Sequence, residues 1–168
     1  RQPREEASGG ELNMRVAVAT DHAGFIIKDE VIAAIQAAGH EVLDLGTDSP
    51  VSVDYPDFTL KLGRSIQSGQ ADRGILICGS GIGVCIAANK MEGIYAAICH
   101  DTYMARQGVE HDGMNVLCLG GRVIGPEIVR ELVPAFLHAE FIGHQEGEER
   151  HARRVEKIHQ IELKGDLP

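Results

Sequence analysis

Short apolar, β-rich runs alternate along this chain with stretches of helical periodicity, and no other feature constrains its fold so tightly. The runs "RVAVATD" (15–21), "HEVLDLG" (40–46), "GILICGS" (74–80), "IYAAICH" (94–100) and "NVLCLGG" (115–121) read as strands. Between and after them, "GFIIKDEVIAAIQAAG", "DYPDFTLKLGRSIQSG", "GVCIAANKM", "DTYMARQGVEHDG" and "GPEIVRELVPAFLHAEF" carry helical spacing. Gly39 suits a helix C-cap, Pro56 a first turn and Pro134 a bend. A charged helix, roughly Glu146 to Leu163, closes the chain. Strands separated by helices pair in parallel through right-handed crossovers. Continuously apolar strands suit a sheet covered on both faces. The expected fold is an α/β, Rossmann-like three-layer sandwich built on a five-stranded parallel sheet.

A chain of 168 residues can bury one sizeable core. Residues 14–163 are expected to form one domain, 1–13 a disordered leader and 164–168 a tail. The leader is charged and has no apolar h-region, and Met14 suits a native start. No apolar run approaches a membrane span. The net charge of −9 argues against nucleic acid as partner, because phosphate backbones want a basic face. A small anion needs only a local positive cluster. The four cysteines, Cys78, Cys85, Cys99 and Cys118, form no C-x-x-C pair. The last three lie in apolar runs and read as inert, buried hydrophobes. With no export signal, the expected compartment is the reducing cytoplasm.

In open α/β sheets, ligands bind beyond the carboxyl ends of the strands. Here those ends read "TDHAG", "CGSGIG", "CHDTY" and "GGRVIG", each with a glycine, a titratable group or both. "GSGIG" puts glycines at 79, 81 and 83 just before a helix. Alternating glycines can turn backbone N–H groups inward as an anion nest, or supply a tight turn. Cys78 precedes the loop. A thiol at a helix N-terminus can act as base or nucleophile, whereas a thiol in an apolar strand is usually core, and position leaves the two readings evenly matched. Asp21 and His22 offer a carboxylate and an imidazole at one rim, or a helix cap beside an incidental histidine. His111 with Asp112, and His100 with Asp101, are competing acid–base pairs that periodicity cannot rank. Arg150, His151 and Arg154 share a helical face, with Arg153 slightly off it. They could grip a phosphate or pair with Glu148, Glu149 and Glu156 on a solvated helix.

Taken in order, "ATDHAG", "DYPD", "ILICGSGIGVCIAANK", "HDGMNVLCLGGRVIG" and "RHARRVEKI" resemble the type B ribose-5-phosphate isomerases, a family that also contains allose- and galactose-6-phosphate isomerases. The resemblance covers about Met14 to Ile161. It implies an aldose–ketose isomerase of sugar phosphates that needs no metal and no cofactor. It also implies a homodimer, in some members paired into a tetramer, whose sites are shared between subunits and whose last helix extends to the partner. By position, Cys78 resembles the base that moves a proton between C1 and C2. The amides of Gly79, Ser80, Gly81, Ile82 and Gly83 resemble the hole for the enediolate. His111, with Asp21 beside it, resembles the ring-opening pair. His22, Arg122, Arg150 and Arg154 resemble phosphate ligands, with His151 nearby. Asn115 and Ser80 would support substrate hydroxyls or the loop. Two positions depart from the pattern: Asp112 stands where the family often has asparagine. Val84 stands where one branch places a glutamate base.

Sister isomerases of six- or four-carbon sugar phosphates would use the same base and hole, with pocket length set by loops such as "GTDSPVSVDYPD". A nucleotide-binding module is the rival from another class, but the G-x-G-x-x-G spacing is missing. A non-catalytic partner subunit would have little use for Cys78, His111 and the arginines together.

Overall fold

The computed structural model describes residues 13–166. The expected leader, apart from Asn13, and the last two residues of the tail lie outside the described residues. Five parallel strands, β1 (Arg15–Thr20), β2 (Glu41–Asp44), β3 (Arg73–Cys78), β4 (Ala96–Ile98) and β5 (Val116–Gly120), form one sheet in the order β2-β1-β3-β5-β4. The described helices are α1 (Lys28–Ala37), α2 (Tyr55–Gln67), α3 (Ile82–Ala88), α4 (Thr102–Asp112), α5 (Pro126–Leu137) and α6 (Glu149–Lys164). None of them is long and apolar enough to cross a membrane.

Period-two alternation divides the strands between two cores. Val16, Val18, Ile75, Ile77, Leu117 and Leu119 face one way and pack with Val31, Ile35, Val109, Leu132 and Phe136 of α1, α4 and α5. Ala17, Ala19, Leu76, Cys78, Val116 and Cys118 face the other way, toward Leu62 of α2 and Val84 and Ala88 of α3. Both faces are dry, so the strands carry few polar residues, as the sequence suggested. Smaller side chains line the α2–α3 face, and Cys78 belongs to it.

The elements depart from the sequence expectation in detail. The first helical run opens with a 3-10 turn, Phe25–Ile27, before α1 begins. The fourth strand is only Ala96–Ile98; just before it Asn115 Oδ1 accepts from Tyr95 N at 2.9 Å, and Nδ2 donates to Gly93 O at 2.8 Å. Pro134 lies inside α5, which runs unbroken through it. The Arg73 guanidinium donates to the carbonyls of Phe136, Leu137 and Ala139, satisfying the end of that helix. The last helix starts at Glu149 rather than near residue 146.

The topology points to one crevice. From β1 the chain crosses to β2 on one side, while β3 lies on the other side of β1. That reversal leaves a gap beyond the carboxyl ends of β1 and β3, the place where such sheets take ligands. "TDHAG" and "CGSGIG" both end there.

Candidate active site

Cys78 is the last residue of β3 and pairs in register with Gly120 of β5. It is 5 % exposed. The loop after it folds back so that Gly81 N–H donates to Cys78 Sγ at 3.1 Å. Gly81 makes this possible: its φ of +82° caps α3 in the left-handed region, which only glycine adopts without strain. Among the glycines of the loop, Gly81 is the one with positive φ. The loop thus makes one left-handed turn at the start of α3. Ser80 and Ile82 are exposed at its tip, with Ile82 N–H donating to Ser80 Oγ at 3.3 Å.

Gly83 has a different reason to be glycine. A Cβ there would come within 2.7 Å of Tyr55 Cζ. The Tyr55 ring, from the start of α2, forms a wall beside the loop. In the sequence "DYPD" reads as a helix start, and nothing in the local pattern ties Tyr55 to residue 83.

Beyond β1, Asp21 is buried, and its Oδ1 accepts from Ala23 N at 2.9 Å and Gly24 N at 3.0 Å. The carboxylate thus fixes the turn that carries His22. The Val53 N–H donates to His22 Nδ1 at 3.2 Å. Beyond β5, Gly121 N–H donates to Cys78 O at 2.8 Å and Arg122 N–H to Gly79 O at 3.1 Å. The Arg122 guanidinium follows this turn over the loop, with Nη1 3.6 Å from where a Gly79 Cβ would be. One edge of the sheet thus gathers Asp21, His22, Cys78, residues 79–83, Tyr55 and Arg122.

The remaining expected residues form a second cluster. His111 and Asp112 end α4, which leads through Gly113 into the amino end of β5. Cys78 lies at the carboxyl end of the neighbouring strand, about 13 Å further along the sheet at roughly 3.3 Å per residue. Within one chain, Asp21 and His111 accordingly lie toward opposite ends of the sheet. The cause is that α4 runs back against the strands. Gln107 Nε2 lies 2.9 Å from His111 Nδ1, and the His111 ring stacks on His151 of α6 with centroids 4.1 Å apart. His151 is buried, and burial pushes its pKa below the ordinary value, helped by His111 and Arg150. His151 Nε2 and Glu148 Oε2 approach to 3.2 Å without hydrogen-bond alignment, and Arg150 Nη1 holds the same Oε2 at 2.7 Å. Arg150 and Arg154 are exposed on α6. Asn115 stands at the amino end of β5 with its amide bound to the backbone of Gly93 and Tyr95.

The other three cysteines differ in their surroundings. Burial raises the Cys99 thiol to about 11 and also raises Cys118. Cys85 is half-buried, and contact with Cys118 lowers its thiol to about 7.

A three-layer α/β sandwich with a thiol, a glycine loop, an imidazole and a guanidinium at its switch point defines a Rossmann-like protein with a crevice for a small polar ligand. A family model described as Ribose/Galactose Isomerase matches residues 16–158. Ribose-5-phosphate isomerase B of Escherichia coli is 42 % identical over 88 % of this chain and 96 % of its own. D-erythrulose-4-phosphate isomerase of Pectobacterium atrosepticum is 41 % identical over 86 % of this chain and 93 % of its own. The solved ribose-5-phosphate isomerase B of Clostridium thermocellum is 47 % identical, superposes with a TM-score of 0.83, and covers 91 % of this chain and 100 % of its own. The chain belongs to the ribose/galactose isomerase family.

Proposed function

We propose that this protein is a metal-independent aldose–ketose isomerase that interconverts ribose 5-phosphate and ribulose 5-phosphate. The observation that carries the proposal is Cys78 at the switch point, its sulfur facing the Gly81 amide at the mouth of the glycine loop. Cys78 takes the proton from C2 of the open-chain aldose. The electron pair moves into the C1–C2 bond and the carbonyl oxygen becomes an oxyanion. Backbone N–H groups of the glycine loop stabilise that oxygen, and one such preorganised donor is worth about 3 kcal/mol. Transfer of the O2 proton and return of the proton from Cys78 to C1 give the ketose.

His111 opens the sugar ring, its orientation supported by Gln107 and His151. His22 and Arg122 reach the phosphate from the carboxyl edge, Arg150 and Arg154 from α6. The two clusters lie at opposite ends of β5, so a complete site draws them from two copies of the chain. The working unit is a homodimer, in which α6 reaches the partner. Acting on a soluble sugar phosphate, the enzyme works in the cytoplasm.

A sister activity on a four-carbon sugar phosphate is the second reading, because the Pectobacterium relative of that name is nearly as similar as the ribose enzyme. Ribose 5-phosphate conversion in excess EDTA, with native protein and Cys78→Ala, tests the proposal. Turnover that survives EDTA and collapses in the variant supports it. No native turnover transfers the function to a sister sugar phosphate, and full activity in the variant removes Cys78 as the base.

A further inference from the structure

His100 and Asp101 matched the chemistry of an acid–base pair in the sequence, yet the isomerase reading leaves both without a role. Asp101 is spent on its own helix: its Oδ1 accepts from Met104 N at 2.8 Å, capping α4. His100 is different. It lies just past β4, half-buried, and Gly120 N–H donates to its Nε2 at 3.0 Å.

The register explains the contact. β4 and β5 pair as Ala96↔Val116, Ala97↔Leu117 and Ile98↔Cys118. Two steps on, residue 100 would stand opposite residue 120. The backbone of β4 has by then turned away toward α4, while β5 runs to Gly120. A buried N–H at that point needs an acceptor, and the imidazole supplies it. The His100 side chain therefore completes a ladder that the main chain abandons.

Gly120 is also where the site turns. Its carbonyl accepts from Val123 N at 2.9 Å and Ile124 N at 3.1 Å, while Gly121 and Arg122 donate to Cys78 and Gly79. A Cβ on Gly120 would come within 2.9 Å of the Ser80 backbone. The turn that aims Arg122 thus lies beneath the glycine loop, and His100 grips its first residue from the edge strand.

We propose that His100 is a positioning residue: its neutral imidazole, protonated on Nδ1, holds the Gly120–Arg122 turn under the glycine loop and so sets where Arg122 meets the anionic end of the substrate. The role of Arg122 rests on the isomerase reading above. Its titratable chain neighbours are Cys99, just past the end of β4, and Asp101, whose carboxylate caps α4. Burial, rather than any of these charges, lowers the His100 pKa from its ordinary value. Nε2 is then free to accept at neutral pH. Acid places a proton on Nε2, the Gly120 N–H loses its acceptor, and the turn loosens.

Kinetics and NMR on the full-length protein test this. In His100→Gln the amide oxygen reaches the place of Nε2 and does not titrate. KM should rise in acid for the native enzyme and be flatter in His100→Gln, with kcat changing less in both. His100→Ala should raise KM about tenfold at neutral pH, the weight of one hydrogen bond, while kcat falls less. Independently of activity, the Gly120 amide resonance should follow an acid titration in the native protein that is absent from His100→Gln. A Gly120 amide that titrates alike in both, or a His100→Ala enzyme with native KM at every pH, overturns the assignment. If the native protein turns over no sugar phosphate, the isomerase reading fails, and the Gly120 titration still decides whether His100 holds the turn.

Discussion

The hydroxyl-bearing end of the Tyr55 ring lies against the Cα of Gly83, with Cζ 2.7 Å from where a Cβ would be built. Two segments far apart in sequence meet there to make one wall of the crevice. Gly83→Ala should push the ring outward. Tyr55 is 39 % exposed and can swing, so the loss of stability should stay under about 1 kcal/mol. KM should nevertheless rise several-fold, by roughly 1 kcal/mol of uniform binding. Melting curves and steady-state kinetics check both, and an unchanged KM would detach Tyr55 from the site.

Lys28 ties the loop between β2 and α2 to the body of the fold. Its side chain is 5 % exposed, with Nζ 2.7 Å from Asp44 Oδ2 and 3.0 Å from Thr47 O. Lys28→Met strands both acceptors. A fully buried pair broken on one side costs roughly 3–5 kcal/mol. Asp44 is 39 % exposed, so solvent recovers part of this and about 2 kcal/mol is expected. Urea denaturation measures it. KM should rise as well, because the same loop presents the Val53 N–H to His22.

Acid should destabilise the protein through its buried imidazoles. His100 and His151 both have pKa values lowered in the fold, His151 chiefly by burial and then by His111 and Arg150. The unfolded chain then binds more protons than the native state as pH falls below the ordinary histidine value of 6.5. Their contribution is present above that value and is lost on going down toward the folded pKa. The urea midpoint should drop between about pH 7.5 and about pH 5.5, and less so in His151→Gln.

Cys85 should be the first to react among the three cysteines outside the glycine loop. Its thiol sits at about 7, against about 11 for Cys99, and Cys118 is raised and fully enclosed. Brief treatment with iodoacetamide near neutral pH, followed by peptide mass spectrometry, should label Cys85 ahead of both. Equal labelling would mean that access, not ionisation, governs their order.

Separation of the two clusters predicts complementation. Cys78→Ala and Arg154→Ala chains should each be poorly active alone. Mixed, they should recover activity in heterodimers that carry one intact site. No recovery in verified heterodimers would place each site within one chain.

Strand–helix alternation and the carboxyl-end rule were enough to foresee the sheet, its parallel pairing and the importance of "CGSGIG" and "TDHAG", because those signals are local. Boundaries were less legible where a distant group intervenes. The fourth strand is shorter than its apolar run, and just ahead of it Tyr95 N donates to the Asn115 side chain across 20 residues, a contact that no local pattern announces. For the glycine loop the sequence leaves an anion nest and a tight turn both open; among the loop's glycines Gly81 takes the left-handed conformation, and Gly83 lies against Tyr55.

By itself, the sequence determined the fold class, the family and the chemical types at the crevice, since periodicity, glycine and thiol are written residue by residue. Only the tertiary structure decided which of those groups meet. It brought Tyr55 to Gly83, Val53 to His22 and His100 to Gly120, and it parted His111 from Cys78. Register and helix direction make those choices. A parallel strand carries its two ends to opposite edges of the sheet, so residues close in sequence to β5 face different surroundings according to the end they follow.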